Sequence, residues 1–187
     1  MSTAPSPSLS TVGVATSLRR LYFFRFGFAI VWAVLVFTLG STLSPVTATL
    51  LVLYPLFDVA AAIIDVRSSR ATGSGALLYV NMAFSLLAAI GLAIAATSST
   101  SAVLGVWGAW SIAAGLVQLV VGVSRRKMGG QWILIISGGL SIVVGGAFIA
   151  MASAAPASVS SLGGYATLGG IFFLISALRL SRTVKGL

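Results

Sequence analysis

Two carboxylates, Asp58 and Asp65, are the only acidic side chains among 187 residues, and the chain has no histidine and no cysteine. This inventory excludes most reaction chemistry. A serine nucleophile here has no imidazole to take its proton. Thiolate chemistry and disulfides are ruled out, and a zinc site lacking both Cys and His ligands is not expected. The two carboxylates do not stand as a catalytic pair in a loop. Gly129-Gly130, beside Arg125-Arg126-Lys127, reads as an ordinary turn rather than a phosphate cradle. We therefore expect no metal, no cofactor and no enzymatic activity.

What remains is Asp58. It lies within an apolar segment, three residues after Pro55, which removes one backbone hydrogen bond and tends to kink a helix. An ionisable group in such a segment is costly and is a functional candidate by default. Arg25 offers a partner. In an antiparallel hairpin turning near Leu43, Arg25 lies level with about residue 61, and Asp58 is about 4.5 Å deeper at helical rise. An arginine side chain spans that offset. Three readings stay open: an Arg25–Asp58 ion pair that neutralises a buried charge, a proton or cation site at Asp58, or a solvated Asp58 without a catalytic role. Asn81, Gln118 and Ser137 also fall in apolar segments, toward the same ends as Arg25 and Asp58. If the five converge they line a cavity. If they diverge they are interhelical hydrogen bonds, each worth about 1 kcal/mol. Asp65, close to Arg67 and Arg70, reads as a surface charge.

The elements that carry these residues follow from composition. Hydrophobic residues make up 58% of the chain, charged residues 7%, and mean hydropathy is +1.12. Soluble domains have about 25% charged residues, so this chain needs lipid as its solvent. A bilayer core about 30 Å thick calls for about 20 apolar residues in a helix. Six segments qualify: about Leu21 to Leu39, Val46 to Val66, Ala76 to Ala96, Ala102 to Val123, Trp132 to Ala152 and Ser160 to Leu180. The expected fold class is all-α, with six transmembrane helices arranged as three hairpins.

The charges test that count. Arg19, Arg20 and Arg25 lie at the start of the first span, and Arg67 and Arg70 follow the second. Arg125, Arg126 and Lys127 follow the fourth, and Arg179, Arg182 and Lys185 end the sixth. These are all 11 basic residues, and six spans place every one on the same face. The positive-inside rule makes that face cytoplasmic, with both termini there. The net charge of +9 is then an orientation signal rather than a nucleic-acid footprint. The triplet Arg125, Arg126 and Lys127 is expected to contact anionic lipid headgroups.

Residues 1–17, rich in Ser, Thr and Pro and free of charged side chains, read as a disordered tail. A six-helix membrane domain covers 18–180, and 181–187 reads as a short basic cytoplasmic tail. The first span is too long for a typical signal-peptide core. The even spans share a pattern: an aromatic residue (Tyr54, Trp107, Tyr165), a polar or small residue four later (Asp58, Ser111, Gly169), and a polar residue eleven later (Asp65, Gln118, Ser176). Small residues recur every four positions at Ser85, Ala89 and Ala93, at Gly105, Ala109 and Ala113, and at Ser137, Ser141 and Gly145. Such stripes let helices approach closely, either within one chain or between copies in a homo-oligomer.

The stretch Gly105-Val-Trp-Gly-Ala-Trp-Ser-Ile-Ala-Ala-Gly115-Leu-Val-Gln118, then Arg125-Arg-Lys, then Trp132-Ile-Leu-Ile-Ile-Ser-Gly138-Gly-Leu-Ser-Ile-Val-Val-Gly145, resembles the HdeD-like family of bacterial short-repeat membrane proteins. The resemblance runs from about Leu18 to Leu180. Gly115-Leu-Val-Gln118 matches the family's Gly-x-x-acid-or-amide element; Pro55, Asp58 and Ser176 depart from its pattern. The resemblance implies six spans in a bacterial cytoplasmic membrane and an association with acid resistance, but no reaction. The expectation is a non-enzymatic membrane protein of this type, supporting acid or stress tolerance. The alternative is a small proton- or cation-coupled transporter or channel using Asp58.

Overall fold

The computed structural model describes residues 9–68, 75–124, 131–154 and 158–185. Among these residues are six helices: α1 (Leu9–Leu39), α2 (Pro45–Ser68), α3 (Gly75–Ala95), α4 (Thr100–Ser124), α5 (Trp132–Ala152) and α6 (Ser161–Lys185). Each contains a stretch long and apolar enough to cross a membrane. None has a strong apolar stripe facing a polar one, as expected of helices surrounded by lipid and by each other. Large apolar side chains accordingly line the outside, among them Phe24, Val31, Leu87, Ile94 and Val143.

Helix ends differ from the expected bounds in two places. The first helix starts at Leu9, so residues 9–17, read as disordered tail, are helical. No proline occurs between Pro7 and Pro45, and nothing in the intervening composition stops a helix once Arg19 and Arg20 are helical. Likewise α6 continues to Lys185, taking in most of the expected basic tail.

Two charge-free connections are set by local chemistry. The Ser44 hydroxyl accepts from the Thr47 backbone N–H at 3.2 Å, capping α2, and Pro45 at the first helical position lacks an N–H that would otherwise go unpaired. The buried Thr47 hydroxyl lies 3.1 Å from the Leu39 carbonyl and 3.0 Å from that of Thr42, pinning the α1–α2 turn. The Ser99 hydroxyl caps α4 through the Ala102 N–H at 3.1 Å.

Consecutive helices pack on one another, and α6 packs on α1, closing a ring. The most intimate neighbours are α4 with α5, then α1 with α6, then α2 with α3. These pairs are offset by one helix from the three hairpins expected from sequence. Glycines explain the closest one. A Cβ built on Gly115 would lie 2.7 Å from the Gly138 carbonyl oxygen, and one built on Gly138 would lie 2.7 Å from that of Gly115. Gly108 and Gly145 face each other in the same way at 2.5 and 2.6 Å. Only glycine permits backbones this close, and lipid-embedded helices gain most from such contact. The contact points recur every seven residues (Gly108, Gly115, Gly122), the return period of two helices that wrap left-handedly. The expected four-residue stripe on α4 is not the seam: Ala109 is exposed and a Cβ on Gly105 would meet nothing.

The core is aromatic. Trp32, Trp107, Leu51, Leu104 and Leu162 are fully buried in one cluster, with Tyr54 and Tyr165 packed against it. Ring centroids lie 4.6 Å apart for Trp32–Tyr54, 5.2 Å for Trp32–Trp107 and 5.5 Å for Tyr54–Trp107. The three aromatic residues of the even-span pattern thus belong to a single core cluster. Gly169, at the next position of the pattern, lies beside the Tyr54 hydroxyl, 3.9 Å from where its Cβ would be, an ordinary contact that a side-chain methyl would also make.

Candidate functional site

Asp58 is buried on the side of α2 that faces α1 and α3. Pro55, fully buried one turn earlier, supplies no N–H to the Leu51 carbonyl and sits inside the helix. Three helices supply donors to the carboxylate. Arg25 Nη2 of α1 pairs with Oδ1. From α3, Asn81 Nδ2 donates to Oδ2 at 2.9 Å and the Ser85 hydroxyl donates to the same oxygen at 2.8 Å. The network continues to α4, where Trp110 Nε1 donates to the Ser85 hydroxyl at 3.1 Å. One carboxylate therefore ties α1, α2 and α3 together, and α4 through Ser85.

Asn81 and Ser85 are four residues apart on α3, so they stand one above the other on a single face. That spacing explains how two donors reach one oxygen. The Arg25 guanidinium also lies over the Phe173 ring of α6, 4.4 Å from its centroid, so a fifth helix covers the cation through the ring's negative face. Two isolated charges in hydrocarbon would be expensive. Their attraction offsets desolvation best when the remaining lone pairs and protons also find partners: Asn81 and Ser85 fill the second carboxylate oxygen and Phe173 covers the guanidinium, while the buried Arg25 Nε finds no hydrogen-bond partner.

The five polar residues singled out in the sequence separate into two groups. Arg25, Asp58 and Asn81 meet. Gln118 does not join them: it lies at the α4–α5 seam, its Cβ 3.1 Å from the position a Gly138 side chain would take, and its Oε1 is buried without a hydrogen-bond partner. Ser137 is half-buried on α5, directly before the Gly138 contact. No hydrogen bond from either to Asp58 occurs among the described residues. Arg125, Arg126 and Lys127 lie outside the described residues. Sequence reasoning missed Ser85 and Trp110 as members of the network. In the sequence Ser85 reads only as a small residue of a stripe, although it lies one turn from Asn81 on the same helix.

A second hydrogen bond of the same type joins two other helices. The Tyr165 hydroxyl of α6 is bonded to that of Ser141 on α5 at 3.2 Å. Trp110 with Ser85 and Tyr165 with Ser141 thus repeat one device, an aromatic polar tip on an even helix meeting a buried serine on the helix before it. On α1 the equivalent anchoring goes to backbone, Trp32 Nε1 donating to the Leu50 carbonyl at 2.7 Å.

No group of three or more metal-ligating side chains occurs among the described residues. Fold and centre together define an all-helical, multi-pass membrane protein with a neutralised ion pair in its interior. Compared with family models, with curated proteins and with solved structures, the chain finds no match.

Proposed function

We propose that this chain is a non-enzymatic protein of the HdeD-like type, resident in a bacterial cytoplasmic membrane with both termini cytoplasmic, that supports acid or stress tolerance without moving protons through Asp58. The observation that carries the reading is the occupancy of the carboxylate. Arg25 takes one oxygen, and Asn81 and Ser85 share the other. A proton-handling carboxylate needs an oxygen able to receive and release a proton along a polar path. Here all three donors come from neighbouring helices, which suits a lock that holds a bundle closed. The location of every basic residue on one face favours the orientation, and the Gly115-Leu-Val-Gln118 element favours the family type.

The test uses purified protein in sealed vesicles under an imposed pH gradient. Parent protein and Asp58→Asn are expected to give the same proton and small-cation leak as protein-free vesicles. A parent flux that Asp58→Asn abolishes would replace this reading with the transporter. In cells, removal of the protein is expected to lower survival after an acid shift, and the parent chain supplied in trans is expected to restore it.

A further inference from the structure

We propose that the segment of α1 carrying Arg19 and Arg20, with the adjoining Leu178–Ser181 stretch of α6, forms a binding site for one phospholipid with an anionic headgroup. A shallow, open groove of about 720 Å³ lies there, lined by Arg19, Arg20, Phe23 and Phe24 of α1 and by Leu178 and Ser181 of α6. Three features select the occupant.

The first is depth. Arg19 precedes Leu39, the last residue of α1, by 20 positions. At 1.5 Å per residue that is about 30 Å, the thickness of the hydrocarbon core. The two guanidinium groups therefore sit where lipid phosphates sit. The second is charge. Arg19 and Arg20 bring two fixed positive charges into the groove, while the chain's acidic side chains, Asp58 and Asp65, are not among its lining residues. Guanidinium groups grip phosphate oxygens through paired N–H donors. The third is the graded lining. Phe23 and Phe24 follow Arg19 and Arg20 by four residues, so each ring lies one turn deeper beneath an arginine on the same face. Phe24 is 69% exposed and Leu178 is 48% exposed. A charged mouth over an exposed apolar wall fits a molecule with a phosphate at one end and acyl chains at the other. A free phosphate would use only the mouth.

The site differs from the Arg125, Arg126, Lys127 triplet, which lies between α4 and α5 in sequence and was expected to meet headgroups generically. It also differs from the Asp58 centre and does not depend on the proposed function.

The test places the full-length chain in nanodiscs of phosphatidylcholine carrying a small share of phosphatidylglycerol and counts co-purifying phosphatidylglycerol by native mass spectrometry. The parent is expected to retain phosphatidylglycerol selectively. Arg19→Gln/Arg20→Gln is expected to weaken that retention on the order of tenfold or more, and replacement of the Arg125–Lys127 triplet by glutamines is expected to leave it in place. Phe24→Ala keeps both charges and is expected to weaken retention as well, which separates a lipid from a bare anion. Tryptophan-fluorescence melting in phosphatidylcholine alone checks that each variant is folded, and Phe24→Ala stands as the deciding variant if the double arginine change does not fold. Retention unchanged in both variants overturns the proposal. So does full displacement of phosphatidylglycerol by millimolar inorganic phosphate, which would reduce the site to an anion mouth.

Discussion

At Asp58 three donors meet two oxygens, and their contributions are unequal. Removing a charged partner leaves a charge stranded in a largely buried site, whereas removing a neutral donor leaves one lone pair unfilled. Arg25→Ala is therefore expected to cost about 3–5 kcal/mol, and Asn81→Ala about 0.5–2 kcal/mol. Unfolding of detergent-solubilised protein by titrated dodecyl sulfate measures both. Equal losses, or none for Arg25→Ala, would mean that the pair is not the lock. Arg25 and Asp58 were legible in the sequence because antiparallel hairpin geometry puts them within one arginine length. Ser85 was not legible, since a serine in a small-residue stripe packs and donates equally well, and only the neighbouring helix decides which. Trp110 was hidden for a related reason: which face of a uniformly apolar helix turns inward is not written in its hydropathy.

Among the helices, the α4–α5 seam turns on glycines at seven-residue spacing. Gly115→Leu drives a side chain into the Gly138 carbonyl, 2.7 Å from the new Cβ, and the helix backbones must separate. We expect a loss of stability on the order of 3 kcal/mol or more, read as a lowered melting temperature. Gly105→Ala is the matched control. Its Cβ would meet nothing within 4 Å, and alanine is the better helix former by about 1 kcal/mol, so melting should rise slightly or stay level. A Gly115→Leu protein that melts with the parent would show that the backbones are not in contact. Small residues at both four- and seven-residue spacings are visible in α4 by eye. Sequence alone could not rank them, because the choice depends on how two helices wrap, a property of the pair.

Six crossings place the start of α1 and the end of α6 at one surface. Reporter domains fused before Leu9 and after Lys185 should therefore respond identically to membrane-impermeant modification, and the proposed cytoplasmic orientation predicts that both are protected in intact cells and reactive when the membrane is opened. Opposite responses would remove one crossing from the count. Span number and fold class were fully legible, because six apolar segments and the placement of 11 basic residues give the same answer independently. Which helices embrace was not, since adjacency in sequence favours hairpins while α1 finds its closer partner in α6.

That last pairing bears on how the protein is made. On a ribosome α1 emerges well before α6, so the seat that Gly163 and Gly170 offer to Phe37 and Ala29 does not exist until α6 has been made. Throughout that interval the Arg25 cation can already meet Asp58, because α2 follows immediately, but it lacks the ring of Phe173. The ring of helices therefore closes only when α6 packs beside α1.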